Sequence, residues 1–121
     1  MGFVVGNLPP GQTTAWYIIR GVGPSLTQFG ISNSAPQPKL TIYNSQGQNI
    51  IGTPGIPYAF NYGASFAQVG AFPLIKGSAD AYYIIQVLPG SYTVQVSDSS
   101  GKGGVVLIEA YASPTPVIVA E

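Results

Sequence analysis

Two kinds of apolar run alternate along the 121-residue chain. In Ser91-Tyr92-Thr93-Val94-Gln95-Val96-Ser97, Tyr92, Val94 and Val96 fall on one side and the polar residues on the other, which is the period of a half-buried antiparallel strand. Leu40 and Ile42 stand against Lys39, Thr41 and Tyr43 in the same way. Trp16-Tyr17-Ile18-Ile19, Tyr82-Tyr83-Ile84-Ile85 and Val105-Val106-Leu107-Ile108 are apolar on both faces. In a two-layer fold the outer faces of these three need a cover, either a second subunit or the segment Ile51 to Ile75 folded back over them.

Sixteen Gly and 11 Pro punctuate these runs at intervals too short for ordinary helices. The expected strands are Ala15 to Arg20, Lys39 to Tyr43, Ala81 to Val87, Ser91 to Ser97 and Val105 to Tyr111, with shorter ones at Phe3 to Val5, Gln48 to Ile51 and Phe66 to Val69. Turns are expected at Pro9-Pro10-Gly11, Gly23-Pro24, Asn44 to Gly47, Pro89-Gly90 and Ser99 to Gly104. The fold class is all-β, an Ig-like antiparallel β-sandwich of about seven or eight strands over residues 1–112, followed by an extension over 113–121.

The two ends suggest how copies join. Gly2-Phe3-Val4-Val5-Gly6 reads as the end of a strand whose sandwich lacks its leading strand, and Val117-Ile118-Val119 forms an apolar tail behind Pro114-Thr115-Pro116. An open sheet edge and a detached strand satisfy each other's backbone groups across subunits. The expectation is that Pro116 to Ala120 pairs on a neighbouring chain beside Phe3 to Val5 or Trp16 to Arg20. The subunit interface would then hold Phe3, Val4, Val5, Trp16, Ile18, Val117, Ile118 and Val119.

Further motifs carry a resemblance. Ile18-Ile19-Arg20-Gly21-Val22-Gly23-Pro24-Ser25-Leu26, Leu88-Pro89-Gly90-Ser91-Tyr92-Thr93 and Gly104-Val105-Val106-Leu107-Ile108-Glu109-Ala110-Tyr111 resemble secreted bacterial β-sandwich repeats with IRGxGPSL, PGxYTxxV and GVxLVEVY motifs. The resemblance spans Gly2 to Tyr111 and implies an extracellular or cell-surface setting in a module without enzymatic activity. It also implies a leading strand before Gly2, and an acidic, tryptophan-containing loop where this chain has Tyr58-Ala59-Phe60-Asn61-Tyr62 and Phe66.

Charge narrows the function further. Only 7% of the residues are charged, against roughly 25% in ordinary soluble domains. Four bases balance four acids, so no basic stripe attracts nucleic acid, and no apolar run is long enough to span a bilayer. Cysteine and histidine are absent, which removes disulfides, thiolate and imidazole metal ligands, and the usual general base. No cofactor, metal or catalytic residue is expected. Gly101-Lys102-Gly103-Gly104 lacks the spacing of a phosphate loop and reads as a hairpin connection.

Arg20 and Glu109 are each the lone charge in an apolar strand, and pairing is the economical way to bury both. Asp80 and Asp98 read as turn caps at strand ends. Tyr92 follows a Pro-Gly turn and fits a tyrosine corner, its hydroxyl bonded back to the backbone. Tyr58, Phe60, Tyr62 and Phe66 form an aromatic patch, with alternation at 58, 60 and 62 placing three rings on one face of an extended segment. Such a patch serves an interface or core, or stacks on a sugar. Ser113-Pro114-Thr115-Pro116 would suit O-linked sugar.

The expected function is a structural subunit of an extracellular bacterial filament or surface assembly, with the chain itself as partner. The alternative is a carbohydrate-binding or adhesive module of a larger secreted protein.

Overall fold

The computed structural model describes residues 1–51 and 60–119. Tyr58 of the aromatic patch and Ala120 of the tail lie outside the described residues. Six strands are present among those described: β1 (Gly2–Val5), β2 (Ala15–Val22), β3 (Pro38–Tyr43), β4 (Ala81–Val87), β5 (Gly90–Asp98) and β6 (Leu107–Ser113). They form two antiparallel three-stranded sheets in the orders β1-β5-β3 and β4-β2-β6.

Alternation decides which side chains meet between the sheets. Val5, Leu40, Ile42, Tyr92 and Val94 from one sheet pack with Ile19 and Val87 from the other. Phe3 stacks on Tyr17 at 5.1 Å and on Tyr92 at 5.2 Å, so three rings tie the layers at one end. The opposite face of β5 carries Ser91, Thr93, Gln95 and Ser97, all exposed.

The β4-β2-β6 sheet is different, because Ile18 and Ile19 are neighbours in sequence on opposite faces and both are fully buried. Burying each is worth about 2 kcal/mol, so both faces of this sheet contribute to the core. The second face is covered by the chain's own segment 60–75. Ile18 and Ile84 pack there with Phe60, Phe66 and Ala71, flanked by Trp16, Val69, Leu74 and Tyr111.

Part of this cover is a short helix, α1 (Tyr62–Gln68), which corrects the strand expected at Phe66 to Val69 and the extended alternation expected through Tyr62. Asn61 caps it by accepting from the Ala64 N–H at 3.0 Å. At the other end the Ala71 N–H reaches Phe66 O at 3.0 Å and the Gly70 N–H reaches Ala67 O at 3.1 Å. Gly70 sits at φ 74°, the left-handed conformation this closing motif requires. Both caps override the aromatic strand propensity of the segment.

Two further expectations are corrected. Gln48 to Ile51 is a hairpin return rather than a strand: Gln48 O accepts from the Asn44 N–H, Asn49 bridges to Tyr43 and the Ile50 N–H donates to Ile42 O. Pro24–Phe29, expected to begin with a simple turn, is a 3₁₀ helix. Gly23 leads into it at a point where a Cβ would meet Ala35 O at 2.3 Å, so only glycine allows that approach.

β2 lies between β4 and β6, and its two edges are already paired. A donated strand therefore has no place beside Trp16 to Arg20. The edges of the sheets are β1 and β3 in one and β4 and β6 in the other.

Candidate interaction site

The tail follows directly from β6. After Ser113, the Pro114-Thr115-Pro116 step leads into a seat on the cover, where the Asn61 N–H donates to Val117 O at 2.7 Å and the Val117 N–H donates to Ser65 Oγ at 3.0 Å. Ile118 bridges antiparallel to Phe60. In the single chain the tail thus lies on its own subunit, at the cover, rather than along β1. Pro116 is buried, but Ile118 and Val119 remain 49% and 48% exposed.

The seat rests on a fixed base. Ser65 is fully buried, its N–H bonded to Asn61 O at 2.9 Å, and Phe60 stands edge-on to Trp16 at 5.6 Å. Trp16 and Ile18, placed at a subunit interface from sequence, support the cover inside one chain. Val4 is 70% exposed on the edge strand β1, whereas Phe3 and Val5 point into the core.

Beneath the cover lies the charge pair. Arg20 and Glu109 are register partners on β2 and β6, with Nε 2.9 Å from Oε1 and side chains 0% and 14% exposed. The Nε–H is not aimed along that line, so the contact is ionic rather than a well-formed hydrogen bond. Nη1 donates to Phe72 O at 2.8 Å, and the guanidinium lies 4.8 Å from the Phe66 ring centre and 4.5 Å from that of Phe72. Such ring faces favour a desolvated cation. Tyr111 donates its hydroxyl to Glu109 Oε2. Burial first, then the Glu109 carboxylate, pushes the Tyr111 phenol up to about 12.

Tyr62 and Tyr82 meet at the outer rim, with ring centres 4.7 Å apart and exposures of 39% and 37%. Burial, and then Tyr82, raise the Tyr62 phenol above its ordinary value. With Phe60 and Phe66 these rings form one continuous aromatic cluster.

The two aspartates do more than cap turns. Asp80 is 9% exposed and accepts from the Gly23 N–H at 2.9 Å, the Ser25 N–H at 3.1 Å and the hydroxyls of Ser25 and Ser78. Burial alone would raise its pKa, but these donors outweigh it and hold the carboxyl below the ordinary value. Ser25 Oγ also accepts from the Ile75 N–H at 2.8 Å, so the network reaches the far end of the cover. Asp98 closes the 99–104 turn through Ser100 Oγ, at 2.5 Å, and the Gly103 N–H, at 2.7 Å. Its Oδ1 accepts from the Gln37 N–H at 2.9 Å. The Ser100 hydroxyl is the main reason its carboxyl falls to about 2.

Asn61, Ser65 and Phe72 were not marked as functional from sequence. Asn61 carries the one legible signal, an N-cap residue ahead of Tyr62 and Phe66 at helical spacing. Among the described residues no group of three or more acidic, histidine or cysteine side chains gathers to hold a metal, and no helix is long and apolar enough to cross a membrane. Comparison with family models, with curated proteins and with solved structures finds no match to this chain.

Proposed function

We propose that this chain is a structural subunit of an extracellular bacterial filament or surface assembly, an Ig-like sandwich that joins copies by exchanging its C-terminal segment. It is not an enzyme in this reading. The observation that carries it is the tail, an apolar β-forming run held to its own chain, among the described residues, by two hydrogen bonds and one bridge, with Ile118 and Val119 half in solvent. The balance of four acids and four bases supports it, because close contact between copies then brings no like-charge repulsion. The motif resemblance to secreted bacterial repeats supports the setting.

A glycan-binding or adhesive module is the second reading, favoured by the half-exposed Tyr62 and Tyr82 rings at one rim. Light scattering over a concentration series, with negative-stain imaging of the same samples, separates the two. A subunit forms fibres or sheets, and deleting residues 113–121 leaves folded monomers. A chain that stays monomeric throughout and whose tyrosine fluorescence responds to oligosaccharide is the module.

A further inference from the structure

We infer that the acceptor for the exchanged tail is the seat formed by Phe60, Asn61 and Ser65 of a second copy, reached by a swap about Pro114-Thr115-Pro116. This rests on the self-assembly reading above and names its contact. Among the described residues, the bonds of Val117 and the bridge of Ile118 end on this seat. An identical seat on a neighbour offers the same Asn61 N–H, the same Ser65 hydroxyl and the same bridge at Phe60. Exchange of identical elements forfeits no contact, so the connecting segment decides which copy is served. Both Ser113 and Thr115 precede proline, which biases them towards extended backbone, and each proline fixes its own φ. Such a connection is stiff and extended, so the tail moves as one piece about it.

A cleft of about 530 Å³ opens beside the connection, lined by Val5, Leu8, Trp16, Tyr17, Ser113 and Thr115 among others. Each copy accepts one tail and donates one: a reciprocal exchange closes a dimer, and a head-to-tail exchange yields an open chain unless the rotation closes.

The absence of cysteine permits a direct test. Ser65→Cys and Val117→Cys put thiols on the two residues whose Oγ and backbone N–H now meet. Oxidised at high dilution, the double variant becomes a monomer with its tail locked at home. On concentration it is expected to stay monomeric, and to assemble once reduced. Mixed single variants, assembled and then oxidised, are expected to give disulfide-linked dimers containing one chain of each kind. Locked monomers that polymerise as readily as reduced ones, or mixed assemblies without cross-chain disulfide, overturn the swap and leave assembly to another contact. A wild-type chain that never associates overturns the assembly reading itself. Should the paired thiols disturb folding, Pro114→Gly reads the same step, since a slack connection lets the tail return home and lowers the assembled fraction. An unchanged fraction counts against the swap.

Discussion

Arg20 on β2 and Glu109 on β6 face each other across one register step, with the guanidinium held between the rings of Phe66 and Phe72. The ion pair therefore joins strand to strand and sheet to cover at a single point. Glu109→Ala is expected to cost about 3 kcal/mol, because it leaves a buried cation without its counter-charge. Arg20→Met with Glu109→Leu together should cost much less, since an apolar pair needs no compensation. Urea unfolding of the three chains checks both statements, and equal losses in the single and double variants would refute them.

Tyr111 ties alkaline stability to the same place. Its folded pKa is raised from an ordinary 10.0 to about 12. The stability this contributes is fully present below pH 10 and is lost as the pH climbs through about 12. Urea midpoints measured across that window should fall for the wild type and fall less for Tyr111→Phe. Parallel curves would show that the phenol does not carry the effect.

In acid the sign reverses. Asp80 and Asp98 both have lowered folded pKa values, so their contribution is present above the ordinary 3.8 and fades as the pH falls, for Asp98 down to about 2. Asp80→Ala is expected to cost about 3 kcal/mol at neutral pH, since the N–H groups of Gly23 and Ser25 lose their buried acceptor. Asp98→Asn should act mainly on the 99–104 turn. Acid unfolding midpoints for the two variants distinguish these roles, and a wild-type curve flat between pH 4 and 2 would count against both.

Tyr92 is 8% exposed and donates to Leu88 O at 2.6 Å, spanning the corner between β4 and β5. Tyr92→Phe keeps the ring and removes the bond. A loss of about 1 kcal/mol with unchanged assembly is the expected outcome. A change in assembly without a change in stability would reassign the hydroxyl to an intersubunit contact.

How far the sequence alone reached can be seen in particular residues. Period-2 alternation made β3 and β5 legible, and apolar runs on both faces revealed that β2 and β4 needed a second cover, whereas in the third run Val105 and Leu107 stand exposed and β6 begins only at Leu107. Lone charges in apolar strands singled out Arg20 and Glu109, because burial without a partner is so costly. The helix in the cover was not legible from propensity, since Tyr62, Gly63 and Phe66 are poor helix formers and its formation rests on the Asn61 cap and the Gly70 closing turn. Nor could sequence locate the tail's seat. That depends on the Asn61 N–H and on the Ser65 hydroxyl, the latter 52 residues distant from Val117, which no periodicity records.

The cover also sets a kinetic order on the molecule. Lifting segment 60–75 would separate the Arg20 guanidinium from Phe72 O and from both rings, whereas releasing the tail breaks the bonds at Asn61 and Ser65 and the bridge at Phe60 and leaves the guanidinium contacts in place. Amide exchange should resolve two openings of unequal depth. The Asn61 and Val117 N–H groups exchange in the shallow one, while the β2 amides between β4 and β6 wait for a deeper one. A chain built this way can release its terminus many times without wetting its buried cation.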